Sequence, residues 1–557
     1  MPNVFSRNLG TPATQMEQAR PDQVTNNAGG FVFEVSDRSR LERFLMIGTE
    51  GGTYYVDEKK LTKDNTQFLI NLIAREEELV EAVVVEVSES GRAYRQSPAI
   101  FTMAALFAFG KRKNKDAFNR VVRTSTHLFE FAEYVELLGG WGRSKRSAVA
   151  SWYEGKTVDQ LAYQAVKYRQ RNGWTHKDLF RLSHPVGVDQ NLGKFILGKE
   201  SEEIQSAIVY GFKAAQNVTS AAALVDVLGE FPNLPWEAIP TQFHKEVDVW
   251  KKLFYNGQLK GQALLRNITR LARLGAFNDM VFARDYATRL TDPEMMQATR
   301  LHPIQYLLAL NVHEEGQVWK PKKVGDTPPL GYRQVNGQIR VKDWVTNPVI
   351  KDALNAGFYL AFKYVEPTGK RTFIGLDVSG SMSTSMSGLD LSCAMVAAAM
   401  AMSIAKVEPY YQIYGFSDGS PYFGGKYVTT QSYNRSVLAE LSVTPNMDLN
   451  TVMRNTADQN FGRTDCALPM LYAAEHNIEV DTFAIFTDNE TWFGKIHPFQ
   501  ALRTYRQKMG IDAKLVVAAL TASPFSIADP SDRGMLDVVG ADANLPSLVA
   551  NFSAGRI

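Results

Sequence analysis

Cysteine is nearly absent: Cys393 and Cys466 are the only two in 557 residues. Two cannot build a disulfide framework or a cysteine metal site. Long apolar runs are missing too. The nearest, "CAMVAAAMAM", is too short and too small-sided to span a bilayer. The N-terminal "MPNVFSRNLGTPATQMEQARPDQVTNNAGG" is polar, rich in Asn, Gln, Thr and Pro, and lacks the apolar core of a signal peptide. These absences predict a soluble cytoplasmic protein with no membrane partner. Enzyme signatures are missing as well. There is no Gly-rich phosphate loop with a lysine, no His-Glu-x-x-His and no Gly-x-Ser-x-Gly elbow.

Net charge is also missing, at +2, but its distribution is uneven. Residues 370–557 hold 14 Lys/Arg against 18 Asp/Glu, or −4, whereas residues 101–190 hold 15 against 8, or +7. The length exceeds what one hydrophobic core usually holds, so two or more domains are expected.

Residues 31–365 read almost entirely as helices. "DAFNRVVRTSTHLFEFAEYVELL", "QALLRNITRLARLGAF" and "NPVIKDALNAGFYLAFKYV" carry apolar residues at helical spacing. Breaks fall at "LLGGWG", "QRNGW" and "GEFPNLPWEAIP". A long run of helices with short connections predicts an α-solenoid of degenerate repeats, with a compact helical domain as the rival. At "VEPTGKR" the character changes. "TFIGLDVS", "YYQIYGFSD", "TFAIFTDN" and "AKLVVAAL" are β-rich runs separated by helical stretches, the pattern of a doubly wound, mostly parallel sheet. The fold class is therefore α followed by α/β. The expected divisions are a polar arm over 1–25, a helical region over 26–367 and a sheet domain over 368–557.

Asp377, Ser379 and Ser381 alternate where the first of these strands ends, the end at which open α/β sheets bind ligands. A carboxylate and two hydroxyls offer only oxygen, which suits a hard divalent cation such as Mg²⁺. Asp488, ending "TFAIF", and Thr464, in "FGRTDCALP", add matching oxygens. A phosphoryl-transfer Asp usually has a second Asp two residues on. Here that place is Ser379, so an enzyme is not expected. The set resembles the metal-ion-dependent adhesion site of von Willebrand factor A domains. A cation with a vacant position would suit a carboxylate on a partner protein, so a protein-adhesion scaffold is the alternative function.

In the basic window, "AVKYRQRNGWTHKDLFRLSHP" brings Lys167, Arg171, His176, Lys177, Arg181 and His184 near Tyr168 and Trp174. Lys167 and Arg171, four apart, are expected on one helix face. His184, before Pro185, is expected at a helix end. Cations interleaved with aromatics make an RNA footprint.

The motifs "NNAGGFVFEVSDRSRLERFLMIGTEGGTYYV", "KYRQRNGWTHKDLFRLSHP", "LLRN", "LHPIQ", "VEPTGKR", "FTDNETWFG" and "ADPSDRGMLDVVG" together resemble the Ro autoantigen family, RNA-binding proteins with a TROVE module followed by an A domain. The stretch from Gln317 to Pro348 is longer than that pattern leads one to expect. The resemblance implies a ring of HEAT-like helical repeats closed by the A domain. It implies binding of small noncoding Y RNAs on an outer basic face and of misfolded RNAs through single-stranded 3′ ends in a central hole. It implies a monomeric protein in a ribonucleoprotein, partnered by a nuclease or another RNA-processing factor. It places Y-RNA contacts on Lys167, Arg171 and His184, and cation ligands on Asp377, Ser379, Ser381, Thr464 and Asp488. Charge extends the RNA surface to Arg120, Arg123, Arg143, Lys145, Arg146, Arg169, Lys177 and Arg181.

Overall fold

A computed structural model describes residues 13–199, 204–321, 334–335, 338–362, 365–419, 428–429, 436–441, 443–457 and 461–557. The chain forms two compact units. One, the sheet unit, is Met1–Val83, Arg92–Pro98 and Phe362–Ile557; the other, the helical unit, is Val84–Gly91 and Ala99–Ala361. These units do not follow the linear division at 367/368. The stretch before Val83 belongs with the sheet, and Gln15, expected in a polar arm, is fully buried.

The sheet unit is built on a central sheet. In spatial order its strands are Val428–Thr429, Ser436–Glu440, Tyr411–Gly419, Thr372–Asp377, Thr482–Thr487, Lys514–Ala519 and Met535–Val539, with Phe461–Arg463 also pairing with Tyr411–Gly419. The five from Tyr411–Gly419 to Met535–Val539 run parallel and the rest pair antiparallel. The central strands Thr372–Asp377 and Thr482–Thr487 are buried along their whole length, which explains why they read as unbroken apolar runs. The helix Cys393–Val407 packs on Thr372–Asp377, and its buried alanines Ala394, Ala397, Ala398 and Ala401 are small. On the opposite face, Leu468–Glu475 and Pro498–Met509 enclose a core of Phe373, Phe416, Phe483 and Leu515, which Val32 and Phe33 of the N-terminal segment join.

Two buried guanidiniums fasten that segment. Arg43, on the helix Asp37–Ile47 and fully buried, donates to the carbonyls of Ser523 and Phe525 at 2.7 and 2.8 Å and pairs with Asp537 at 2.5 Å. Arg92 donates to Asp542 at 3.0 and 2.8 Å and to Glu42 at 3.1 Å. Burial opposes the Arg92 charge, yet Asp542 and Glu42 hold it well above its ordinary value. Asp537 lies within Met535–Val539, a strand that a reading of apolar runs passes over because an acid interrupts it.

In the helical unit, contacts join helices close in sequence. Lys115–Val121 packs on Arg143–Glu154, and that helix on His176–Ser183. Val158–Lys167 packs on Ala207–Asn217, Ala221–Glu230 on Val247–Tyr255, Gln262–Arg273 on Pro303–Glu315, and Pro303–Glu315 on Pro348–Leu360. Such local succession is the pattern of an α-solenoid. Between Glu315 and the helix Pro348–Leu360 the described residues are not helical. Gln317–Pro321, Gln338–Lys342 and Gln334–Val335 form a three-stranded antiparallel sheet; residues 322–333 and 336–337 of that stretch lie outside the described residues. Among the described residues no helix is long and apolar enough to cross a membrane.

His176 belongs to the helical core and not to the cationic surface. Its ring nitrogens meet the Tyr153 hydroxyl at 2.9 Å and the Ser125 hydroxyl at 3.0 Å, and burial pushes its pKa down to about 3. Burial, aided by Arg123, also pushes His127 down to about 3.

Removing the Arg43 guanidinium leaves Asp537 buried without its counter-charge. Arg43→Ala is expected to cost about 3–5 kcal/mol, read as an earlier urea midpoint for the sheet unit. The buried histidines set a pH dependence for the helical unit. A folded-state pKa below the unfolded one means that the unfolded chain binds more protons between pH 3 and 6.5. Stability is therefore full above pH ~6.5 and falls on acidification by about 1.4 kcal/mol per pH unit for each histidine. His176→Gln should flatten that slope in urea melts at pH 7 and 5; an unchanged slope would show that this histidine does not carry it.

Candidate nucleic-acid interface and metal centre

The cationic surface is built by three short elements. Thr157 opens the helix Val158–Lys167 with a capping box to Gln160, and the helix ends at Lys167 because Tyr168 turns extended (φ −128°, ψ 94°). Gln170–Arg171 then pairs with Trp174–Thr175 around Asn172 and Gly173, both at positive φ (53° and 77°). Two positive φ values at Asn-Gly make the turn that matches hairpin twist. The expected shared helix face for Lys167 and Arg171 is therefore replaced by a hairpin. The Asn-Gly pair was the signal for it. Thr175 opens the next helix, His176–Ser183, with a second capping box, and His184 closes it in the left-handed region (φ 48°) ahead of Pro185.

The candidate cations divide by what already holds them. Arg120 grips Glu89 at 2.9 and 2.6 Å. Arg123 donates to the Ser88 hydroxyl and carbonyl at 2.8 and 3.1 Å and to the Arg120 carbonyl at 2.7 Å; burial pushes its pKa down to about 10. Lys145 is buried and donates to the Gly140 carbonyl at 2.7 Å. These three are engaged in the fold. Arg169 lies over the Phe212 ring at 4.3 Å. Lys167 is half-buried, 3.3 Å from the Tyr163 hydroxyl and 5.2 Å from the Tyr168 ring centre. Burial opposes its charge, but Tyr163, Glu237 and Tyr168 raise its pKa above the ordinary value.

Arg143, Arg146, Arg171, Lys177, Arg181 and His184 are different. All six are exposed, and none has a side-chain hydrogen bond or ion pair to a described residue. Arg143, Arg146 and His184 line one surface depression with Trp141. Trp141 meets Trp174 edge to face at 5.6 Å, and Trp174 is the register partner of Arg171. Both indoles are half-buried at this surface and outside the core.

The second site lies at the strand ends of the sheet unit. Asp377 ends its strand fully buried. Its Oδ1 accepts from the Ser379 amide at 3.0 Å and its Oδ2 from the Thr487 hydroxyl at 2.7 Å. The Ser379 and Ser381 hydroxyls are 3.1 Å apart. Asp488 follows the neighbouring parallel strand; its Oδ1 accepts from the Glu490 amide at 3.1 Å, and its buried Oδ2 has no partner. Thr464 is buried just after Phe461–Arg463, a strand in contact with the Gly380–Ser383 turn. Burial, and then the charge of Asp488, pushes Asp377 up to about 7; burial raises Asp488 as well.

Two buried carboxylates that repel each other, an orphaned carboxylate oxygen and two adjoining hydroxyls suit a hard divalent cation held by few charges. Among the described residues no three His, Cys, Asp or Glu side chains gather as a metal-ligating group; three of the five candidate donors are hydroxyls. Asp465, next to Thr464, is already occupied: its Oδ1 accepts from Gln15 at 2.8 Å and from the Ala467 amide at 3.0 Å. Thr487, Glu490, Gln15 and Tyr55 border the site without having been singled out beforehand. Only Thr487 carried a signal, as the hydroxyl just before Asp488. Burial, and then Asp488 and Glu490, pushes the Tyr55 hydroxyl up to about 12.

Comparison with known proteins covers nearly the whole chain. Residues 24–221 and 232–370 match the family model for the TROVE domain, and residues 371–553 that for the Ro60 vWA domain. RNA-binding protein RO60 of Deinococcus radiodurans is 36% identical over 564 residues, 99% of this chain and 98% of that protein. RNA-binding protein RO60 of Caenorhabditis elegans is 32% identical over 630 residues, 98% of this chain and 92% of that protein. The crystal structure of the Deinococcus radiodurans RO (RSR) protein matches with a TM-score of 0.64 at 35% identity, covering 94% of this chain and 100% of that one. With a TROVE domain followed by a Ro60 vWA domain, and relatives aligned along nearly its whole length, the chain belongs to the Ro60 family.

Proposed function

We propose that this chain binds small structured RNAs, Y RNAs among them, on the surface formed by Arg143, Arg146, Arg171, Lys177, Arg181 and His184, and does no chemistry on them. The observation that carries this reading is the set of five exposed Arg and Lys side chains and His184, without protein partners, beside a half-buried indole pair. Phosphates supply the counter-charges, and a duplex is read there mainly by shape and backbone. The relatives named RNA-binding proteins support it. Capture of misfolded RNAs by their single-stranded 3′ ends rests on the family resemblance alone. Lys167 contributes a charge that Tyr163 and Glu237 keep in place.

We also propose that Asp377, Ser379, Ser381, Thr464 and Asp488 hold a divalent cation, with Mg²⁺ favoured. The cation would neutralise the two carboxylates and offer a position to a partner's carboxylate.

Arg146→Ala and Arg171→Ala should each weaken binding of a Y-type RNA by about 1–3 kcal/mol and flatten the salt dependence by about one unit of slope. Arg123→Ala should lower stability instead, leaving the affinity of the folded fraction unchanged. Unaltered affinity in both Arg146→Ala and Arg171→Ala would reject the surface. For the cation, Mg²⁺ should raise the melting midpoint of the wild-type sheet unit at pH 8 and leave that of Asp377→Asn unmoved. The Asp377→Asn protein should keep its RNA affinity, because the cationic surface belongs to the other unit. A Mg²⁺ response retained by Asp377→Asn would reject the assignment.

A further inference from the structure

All three loops that carry the proposed cation ligands are held by the N-terminal segment of the same compact unit. At the Thr464 loop, Gln15 donates to Asp465 at 2.8 Å, and its side-chain oxygen accepts from the Thr491 hydroxyl. At the Asp488 loop, Asn26 donates to the carbonyls of Asn489 and Thr491 at 3.2 and 2.8 Å. Asn27 donates to Glu490 at 2.7 Å, and the Ala28 amide donates to the same carboxylate at 3.0 Å. Gly30 approaches so closely that a Cβ there would stand 1.9 Å from the Thr491 carbonyl oxygen. At the loop after Ser381, the Ser387 hydroxyl donates to the Ile47 carbonyl, and Arg95 bridges the Ser387 carbonyl (2.9 Å) and Glu50 (2.8 Å). Gly51 has φ +79°, and a Cβ on it would lie 2.9 Å from the Gly388 nitrogen.

Between the segment and the ligands is a small cavity with room for about one water. Gly52, Thr53 and Tyr54 line it together with Ser381, Asp488 and Thr521. The partnerless Asp488 Oδ2 thus belongs to a residue that faces this covered space.

The covering segment is held unevenly. Gln15, Val32 and Phe33 are all 1% exposed or less and join the core, whereas Tyr54 and Tyr55 are 60% and 37% exposed. A stretch with few buried apolar contacts opens at lower free energy than one built into the core.

We propose that the loop 48–55 is a built-in cover over the cation face, anchored by residues 15–33, and that it must lift before a carboxylate from outside can reach the cation. The proposal rests on the cation reading above. It makes adhesion through this face conditional: a protein partner competes first with the chain's own N-terminal segment.

Acetate serves as the probe carboxylate, with Mn²⁺ replacing Mg²⁺ so that electron paramagnetic resonance reads what enters its coordination shell. The full chain is used. A cover lifted in about one molecule in ten weakens the probe's apparent affinity about tenfold. Ser387→Gly removes the hydroxyl held by Ile47 and suits the positive φ there; Gly51→Ala wedges the loop away. Either variant, folded by circular dichroism, should bind acetate about tenfold more tightly with Mn²⁺ affinity little changed. Hydrogen exchange at residues 48–55 should speed up in both. Equal acetate affinity in wild type and both variants, with Mn²⁺ bound in each, overturns the cover and leaves the cation reading standing. No Mn²⁺ binding by the wild type overturns the cation reading and the cover with it.

Discussion

Two guanidiniums buried against the sheet decide what the rest of this structure is. Arg43 and Arg92 carry full charges into a low-dielectric interior, where each needs a carboxylate at hydrogen-bond distance. Asp537 and Asp542 supply them from the last strand and the turn after it. The pairing makes the N-terminal segment a part of the sheet unit, although in sequence a long helical stretch separates the two. Val32 and Phe33 then complete the sheet's core, and Gln15, Asn26 and Asn27 reach the loops that hold the oxygen site. The composition of the sheet unit and the docking of its N-terminal segment on the strand-end loops follow from that one electrostatic demand.

The oxygen site shows the opposite case, charges buried without a protein cation. Asp377 and Asp488 are both enclosed, both pushed toward the neutral form, and served only by hydroxyls and amides. The buried Asp488 Oδ2 has no hydrogen-bond partner. Here Gly52, Thr53 and Tyr54 of the chain's own N-terminal segment line a small cavity together with Ser381 and Asp488.

On the helical unit, the same physics separates structural cations from available ones. Arg120, Arg123 and Lys145 sit in a basic window that composition marks as a whole, yet each is engaged with protein oxygens. His176 is enclosed and neutral for the sake of Tyr153 and Ser125. What remains is a smaller set of exposed basic side chains around Trp141 and Trp174 that have no side-chain hydrogen bond or ion pair to a described residue.

The sequence by itself determined the features that depend on neighbours along the chain. Helical spacing gave away the repeats, and fully buried parallel strands appeared as unbroken apolar runs. Asp377, Ser379 and Ser381 were legible because a strand end and a two-residue alternation are local facts. His184 as a helix terminator was legible because Pro185 follows it. The hairpin at Asn172–Gly173 was equally local and was read only as a break, so the helix was carried too far. Tertiary structure alone decided the strand Met535–Val539, whose Asp537 looks disqualifying until Arg43 arrives from nearly five hundred residues away. It decided which cations are free, because an exposed and a buried arginine are the same letter. It also decided that the N-terminal segment holds the loops around Asp377 and Asp488, since hydrogen bonds such as Gln15 to Asp465 join positions 450 apart. Desolvation and charge pairing act through space, and no local pattern along the chain records them.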